Sequence, residues 1–409
     1  MKKILKTYKF RLYPNKTQEI LLSKTFGCTR FIFNQMLAER KEVYEQLKND
    51  KDTLFKHKYK TEKQYKEDYD WLKEVDSIAL QQSRVDLDEA YKNFFKSLSG
   101  KRKGKQMGLP NFKSKKTNRQ TFRTLNINNN IEINFENKIL KLPKLKWLRY
   151  SDDRSFNGII KNVTVEKTST GKYFTCILVE EIIETKVHQV NFKSKAIGLD
   201  YDSKNLFTSN ENKISGYPKF YRKYENKLAR ESRRLSRKVK GSNNRNRQRI
   251  KVAKVHEKIV NSRKDFQQKL STQIVENYDI IGIETLNMQA ISQCLNLAKS
   301  TLDNAWGSFV NMLEYKCDWY GKHLVFADKY YASSKMCNVC GYKNVELTLA
   351  DREWNCPICH THHNRDQNAG INLMNLAIST VGATGIYASG EEETQLASLK
   401  EEAQGFILG

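Results

Sequence analysis

The chain has 409 residues, room for two or three domains and for a sizeable core without disulfide staples. Hydrophobic residues at 39% and aromatics at 11% exclude wholesale disorder, and no run reaches the ~18 apolar residues of a membrane span. Lysine and arginine exceed the acids by 72 − 46 = 26, at a pI of about 9.5; a polyanion, nucleic acid first, is the expected partner, and a surface tuned only for solubility is the weaker alternative.

The N-terminal MKKILKTYKFRLYP is basic but lacks an apolar h-region, so it does not read as a secretion signal, and reduced cysteines are expected. Lys3 to Arg11 alternates in polarity and predicts a strand. From Thr17 to Leu98 apolar residues recur at helical spacing and predict a bundle. Ser99 to Thr124 carries nine Lys/Arg, no acid, three Gly and Pro110; it is either a solvated linker or a loop that orders on a phosphate backbone, with Phe112 and Phe122 between the charges.

Period-two patterning returns from Phe122 to Glu184, with hairpin turns at Glu136-Asn137 and Ser169-Thr170-Gly171. The first strand has no neighbours of its own, so it is expected to join this small sheet or barrel, making the helical bundle an insertion. Lys195 to Ser215 predicts a three-strand antiparallel meander. A helical hairpin follows over Phe220 to Tyr278, broken at Gly241-Ser242-Asn243. Lys219 to Lys269 holds 19 Lys/Arg against 4 Asp/Glu, too one-sided for ion-pair balance and suited to tracking phosphates. Asp279 to Glu284 reads as a buried strand, Asn304 to Tyr320 as an amphipathic helix, HLVFADKYY as a strand and Asp366 to Ile378 as a helix. The last ~25 residues are acidic and read as a weakly ordered tail.

Cys28, Cys176, Cys294 and Cys317 stand singly among apolar residues and read as small buried hydrophobes. The other four form two C-x2-C pairs, Cys337/Cys340 and Cys356/Cys359, fifteen residues apart. That spacing lets four thiolates converge on one structural Zn(II), with Gly341 and Pro357 in the tight turns. Four thiolates close the coordination sphere, which disfavours a catalytic zinc. His360, His362 and His363 follow as spare ligands, polar surface or a nucleic-acid contact. Asp200 and Glu284 end predicted strands, and Asp366 opens a predicted helix. Carboxylates so placed can share a cleft and hold two Mg(II) or Mn(II) ions ~4 Å apart for phosphodiester hydrolysis.

The order of these parts resembles a split RNase H-like, RuvC-type nuclease core. More specifically, YKFRLYPNKTQEILLSKTFGCTRFIFNQML, ALQQSRVDLDEAYKNFF, GLPNFKSKK, SSKMCNVCGYKN and WNCPICHTHHNRDQNAGINL resemble the TnpB family, transposon-encoded relatives of compact type V CRISPR effectors, from Met1 to about Ile378. The resemblance implies an α+β, multidomain chain. A helical bundle (13–120, with the basic loop) is inserted in a small β-barrel, wedge-like domain (1–12 and 121–190). A RuvC-like α/β nuclease domain follows (191–332 and 364–382), with an inserted zinc ribbon (333–363) and a tail (383–409).

It further implies RNA-guided cleavage of double-stranded DNA beside a short transposon-adjacent motif, with sequence reading delegated to base pairing. The implied cofactors are two Mg(II) or Mn(II) ions, one Zn(II) and a guide RNA from the transposon end. The implied setting is a monomeric ribonucleoprotein in a prokaryotic cytoplasm, on the nucleoid when bound to DNA, with no membrane association. By the resemblance Asp200, Glu284 and Asp366 are the catalytic, magnesium-binding triad, and Cys337, Cys340, Cys356 and Cys359 are the zinc ligands. The resemblance also places Gln81 and Gln82 in the helical region expected to help read the adjacent motif. Arg11, Lys113 and Lys115 are candidate backbone contacts, as are Arg233, Arg237, Arg245 and Arg263 in the basic hairpin.

Two positions depart from the pattern. Asp202 stands where many members have Gly, and Asn364 where an acid is common. A nuclease-inactive RNA-guided regulator is the main alternative, opposed by the intact triad. A transposase that joins DNA itself is opposed by the lack of a Tyr-plus-His-pair signature.

Overall fold

The computed structural model describes residues 2–102, 104, 106–116, 119–184, 190–191, 193–294, 297–348 and 350–385. The chain forms two compact units, Met1–Ile183 and Glu184–Gly409. Among the described residues no helix is long and apolar enough to cross a membrane.

In the first unit β1 (Lys2–Tyr13) leads through Pro14 into α1 (Lys16–Leu47). Asn15 starts that helix with a reciprocal cap: its side chain accepts from Gln18 N at 2.8 Å, and Gln18 Oε1 accepts from Asn15 N at 3.0 Å. Three shorter helices follow, α2 (Lys51–Lys56), α3 (Glu62–Asp68) and α4 (Ser77–Leu98). Ile32, Phe33, Met36 and Leu37 pack there against Tyr65, Leu72, Leu80 and Leu87.

The strands come next: β2 (Gln120–Leu125), β3 (Glu132–Asn134), β4 (Ile139–Leu142), β5 (Lys146–Ser151), β6 (Ile159–Lys167) and β7 (Tyr173–Ile183). They form one antiparallel sheet in the order β2-β6-β7-β1-β5-β4-β3. The first strand therefore lies mid-sheet, in register with β7 from Lys2↔Ile183 to Leu12↔Tyr173. The helices are inserted between β1 and β2, and the hairpin turns fall where the polarity pattern predicts them.

The sheet corrects one expectation, because it does not close into a barrel. Its edges are β2 and β3, and no ladder joins them among the described residues. Helices cover the apolar face instead: Leu22, Phe26 and Ala79 join Phe10, Phe122, Val165, Ile177 and Val179 in one core. With that face buried by α1 and α4, nothing drives the three-residue β3 to wrap round to β2.

The second unit is built on a four-stranded sheet, β8 (Ala196–Asp202), β9 (Leu206–Ser209), β10 (Ile280–Ile283) and β11 (His323–Phe326), in the order β11-β10-β8-β9. β10 runs parallel to β8 and β11, and β9 antiparallel to β8. The expected third meander strand is reduced to a single bridge, Thr208↔Ile214.

Between β9 and β10 stand α5 (Phe220–Ser236) and α6 (Asn243–Asn277), the predicted hairpin, with Gly241 at φ 89° in its turn. Short helices α7 (Met288–Cys294) and α8 (Ala298–Asn304) precede α9 (Trp306–Tyr320). A small lobe carries β12 (Glu353–Asn355) paired with β13 (His362–Asn364), and α10 (Arg365–Gly385) follows. The tail expected over 383–409 lies, past Gly385, outside the described residues.

The two faces of this sheet differ by strand parity. Ile197, Leu199, Ile281 and Ile283 share a core with Ile274 of α6 and with Trp306, Phe309 and Leu313 of α9. The alternate positions, Gly198 and Gly282, face α10: a Cβ on Gly282 would overlap the Leu373 carbonyl, and one on Gly198 would lie 2.7 Å from Met374 N. Glycine at both positions lets α10 lie directly on the strands.

Candidate functional site

The parity that brings Gly198 and Gly282 under α10 also sends Asp200 and Glu284, two residues on, towards that face. Register pairs Leu199 with Ile283, so Asp200 and Glu284 are lateral neighbours at the C-terminal ends of two parallel strands. On α10, Asp366 shares a face with Gly370, Leu373 and Ala377 at spacings of four, three and four. Gly370 meets the Ser209–Asn210 backbone at the end of β9, which sets the first turn of α10, with Asp366, beside the acid-bearing strand ends.

The electrostatics report this convergence. Asp200 titrates well above the ordinary carboxylate range, first through desolvation, then through the charges of Glu284 and Asp366. Glu284 is raised by desolvation, partly opposed by Ser333, whose hydroxyl donates to Glu284 Oε1 at 2.6 Å. Asp366 is half-buried and pairs with Arg352 (3.1 Å) and Arg365 (3.2 Å). Three hard oxygen donors that repel one another suit divalent cations such as Mg(II).

Both departures from the family pattern have a local explanation. Asp202 is occupied in the β8–β9 turn, accepting from Lys204 N at 2.7 Å and Asn205 Nδ2 at 2.6 Å. Asn364 caps α10, its Oδ1 accepting from Gln367 N at 3.1 Å.

The ligand atoms of Cys337, Cys340, Cys356 and Cys359 all lie within 4.8 Å of one another. Two of the spacings are 3.6 Å (Cys337–Cys359) and 3.5 Å (Cys340–Cys356), close to the ~3.8 Å edge of a tetrahedral zinc–thiolate site. Among the described residues this is the one His/Cys/Asp/Glu group so closely gathered; the three carboxylates are more widely set.

Each knuckle closes through a left-handed residue, Gly341 (φ 75°) in the first and His360 (φ 58°) in the second. Their amides donate to Cys337 O (3.0 Å) and Cys356 O (2.9 Å). The histidines therefore have three separate places. His360 makes a turn, His362 is exposed beside Glu353, and His363 is buried against Trp354 with Nε2 3.1 Å from Cys337 Sγ. A surface reading does not hold for His363. Cys28 and Cys317 are buried as expected and Cys176 is half-buried; the Cys294 side chain lies outside the described residues.

The nucleic-acid candidates divide. Arg11 lies in β1 over the Phe174 and Tyr13 rings, with a buried Nη1 that has no partner among the described residues. Gln82 and Lys113 line one polar cavity of about 470 Å³ with Arg119 and Arg123 of the basic 99–124 segment and with Arg30, which sequence reading missed. Gln81 and Lys115 are exposed. Lys113 is partly spoken for: its Nζ sits 3.7 Å over the Phe33 ring, and its backbone pairs with Asn34.

In the α5–α6 hairpin Arg233 and Arg237 are exposed. Arg245 instead donates to Leu235 O and Lys238 O at the end of α5, and Arg263 to Leu302 O and Asp303 O. A groove of about 350 Å³ between the two helices gathers Lys227, Arg234, Lys251, Lys254 and Lys258 around Glu231. Their i, i+3, i+7 spacing was the available signal, obscured by the many charges around it.

Known proteins resemble this chain along its whole length. The family model described as "Probable transposase", of the OrfB IS605 type, matches residues 174–295; the Cas12f1-like TNB domain matches 306–373; a helix-turn-helix domain model matches 1–49, which here is a strand and one long helix. A protein of Streptomyces pristinaespiralis named as an RNA-guided DNA endonuclease is 33% identical over 100% of this chain and 99% of its own length. InsQ of Escherichia coli, named likewise, is 32% identical over 91% of this chain and 92% of its own. Among solved structures, a Cas12f1–sgRNA–target DNA complex shares the fold with a TM-score of 0.55 at 14% identity, covering 91% of this chain and 99% of that one. This chain belongs to the TnpB family of transposon-encoded RNA-guided DNA endonucleases.

Proposed function

We propose that this protein is an active, metal-dependent endonuclease that takes a guide RNA from its transposon end and cuts double-stranded DNA beside a short adjacent motif. The observation that carries the reading is the gathering of Asp200, Glu284 and Asp366, each from a different element, into one desolvated cluster. Two Mg(II) or Mn(II) ions bound there would activate water and stabilise the leaving 3′-oxygen. Asp200 and Glu284 hold that position from adjacent strands, while Arg352 and Arg365 orient Asp366. The names of the relatives support RNA guidance and DNA as substrate.

The cysteine lobe takes one structural zinc. The β-sheet of the first unit and its helices act as wedge and recognition regions, and the cavity around Gln82 and Lys113 contributes to reading the adjacent motif. The protein works as a monomeric ribonucleoprotein in the prokaryotic cytoplasm.

The test is cleavage of a duplex that carries a guide match and the correct adjacent motif, using the RNA that co-purifies with the protein. Asp200→Ala, Glu284→Ala and Asp366→Ala each abolish cutting while RNA still binds, and Asp200→Ala/Glu284→Ala is little worse than either alone, because the three act as one unit. Guide-directed DNA binding by the wild type without cutting would favour the inactive regulator. Full cutting by Asp200→Ala would remove the assigned site.

A further inference from the structure

Ser333 is 2% exposed and lies outside the acidic triad, yet its hydroxyl donates to Glu284 Oε1 at 2.6 Å. The segment that carries it, residues 333–338, is fastened to α10 by two buried asparagines one turn apart. Asn372 Nδ2 donates to Ser333 O (2.8 Å) and to Met336 O (2.7 Å). Asn368 Nδ2 donates to the same Met336 O (2.7 Å), and its Oδ1 accepts from Asn338 N (3.0 Å). Asn368 and Asn372 are 1% and 4% exposed, so these bonds are made out of water. One end of the segment thus touches a carboxylate of the cluster, and the other contains Cys337 of the cysteine group.

We propose that Ser333 is a positioning residue: held to α10 by Asn368 and Asn372, it fixes the Glu284 carboxylate in the orientation that receives the divalent ion. The inference rests on the acidic cluster being the metal site. Glu284 lies one residue past the end of β10, its side chain has three rotatable bonds, and repulsion from Asp200 would turn it away. A single short bond from a buried hydroxyl, on a segment fastened to α10 by Asn372 and Asn368, counters that repulsion and occupies one oxygen. Among the described residues the other oxygen accepts no protein hydrogen bond and stays available to a cation. The arrangement also explains why serine, asparagine and asparagine occupy positions whose burial would otherwise favour apolar side chains.

The test uses the full-length ribonucleoprotein and Mn(II), titrated by electron paramagnetic resonance, alongside cutting of a matched duplex. Ser333→Ala weakens Mn(II) binding and cutting, each on the order of 10–100-fold. Ser333→Thr, which keeps the hydroxyl, recovers most of both. Zinc content and guide-RNA affinity are the same in all forms. Wild-type Mn(II) affinity in Ser333→Ala would overturn the proposal; so would a threonine variant no better than alanine, or a parallel fall in zinc content, since either traces the loss to packing. Glu284→Gln separates the metal site from its positioning by Ser333. If it too leaves Mn(II) binding and cutting intact, the acidic site itself is misassigned; if it abolishes both while Ser333→Ala is silent, only the positioning role falls.

Discussion

Gly198 of β8 and Gly370 of α10 are packed backbone to backbone: a Cβ added to Gly198 would overlap the Gly370 carbonyl and sit 2.7 Å from Met374 N. Helix and strand approach this closely only where the strand residue carries no side chain, as at Gly198 and Gly282. Gly370 also meets the Ser209–Asn210 backbone, which sets the first turn of α10 and with it the place of Asp366. Gly198→Ala must push the helix off the sheet against backbone atoms, which cannot rotate aside. The expected cost is about 3 kcal/mol or more, read by urea unfolding of the second unit's transition. Cutting should fall further than stability alone explains, because Asp366 moves with the helix.

The acidic cluster is held together against its own repulsion. Asp200 is raised by desolvation, then by Glu284 and Asp366. An acid whose folded pKa lies above its unfolded value binds more protons folded than unfolded, so ionising it at neutral pH costs stability. Asp200→Asn removes that cost. It should raise the melting temperature in excess chelator while abolishing cleavage, and added Mg(II) should stabilise the wild type but not the variant. A variant that melts lower than wild type in chelator would contradict this account.

The elements legible in the sequence were those set by local pattern. Alternation marked β1 and β7, and Asp200, Glu284 and Asp366 could be placed because strand ends and helix starts are local features. What failed to show was tertiary. Lys219, at φ 51°, offers no side-chain cap to α5; the carboxylate of Asp303, some eighty residues later, accepts from Tyr221 N (2.8 Å) and Arg222 N (3.3 Å) instead. No spacing rule reaches across that distance. Arg245 and Arg263 look like free cations in a charge run, but folding turns them onto carbonyls of their own unit. His363 reads as polar surface until Trp354 covers it. The barrel expectation failed because helices that cover a sheet cannot be told, strand by strand, from a sheet that covers itself.

The cysteine lobe should carry one zinc per chain, since four sulfurs within 4.8 Å leave room for one tetrahedral ion. Cys337→Ser removes a thiolate and should lower zinc content well below one. Through Asn338 and Asn368 it should also loosen the start of α10. Metal analysis of protein purified without chelator checks the first point, and hydrogen exchange over 365–372 the second. A full zinc complement in Cys337→Ser would refute the assignment.

Lys316 of α9 is 5% exposed, and its Nζ donates to Gln268 O (2.8 Å), Ser271 Oγ (2.7 Å) and Thr272 Oγ1 (2.6 Å), all uncharged. Burial pushes its pKa down to about 8, against the weaker opposing pull of Glu276. Below that value both folded and unfolded forms carry the charge, and the burial cost applies in full, offset in part by the three acceptors. Between about 8 and the unfolded value of about 10.4 the folded state loses its proton first, so stability rises with pH by up to about 1.4 kcal/mol per unit. Measured against Lys316→Met, the wild type should gain relative stability across that window. A flat difference from pH 7 to 10.5 would show that the ammonium bears no net burial cost.

The groove between α5 and α6 is lined mainly by cations. Lys227, Lys251 and Lys254 enter no ion pair among the described residues, while Arg234 is partly neutralised by Glu231. Unpaired cations in a row release counterions when a phosphate backbone settles on them, so affinity for guide RNA should fall steeply with salt. Alanine at Lys227, Lys251 or Lys254 should reduce the slope of log K against log salt by about 0.7–1 each, near-additively, with little change in the unfolding midpoint. Arg245→Ala should do the opposite, because its guanidinium joins the end of α5 to α6: stability falls while the salt slope scarcely moves. Competing single-stranded RNA, double-stranded RNA and duplex DNA for the groove separates the possible occupants. A salt slope unchanged by all three lysine substitutions would show that nucleic acid binds elsewhere.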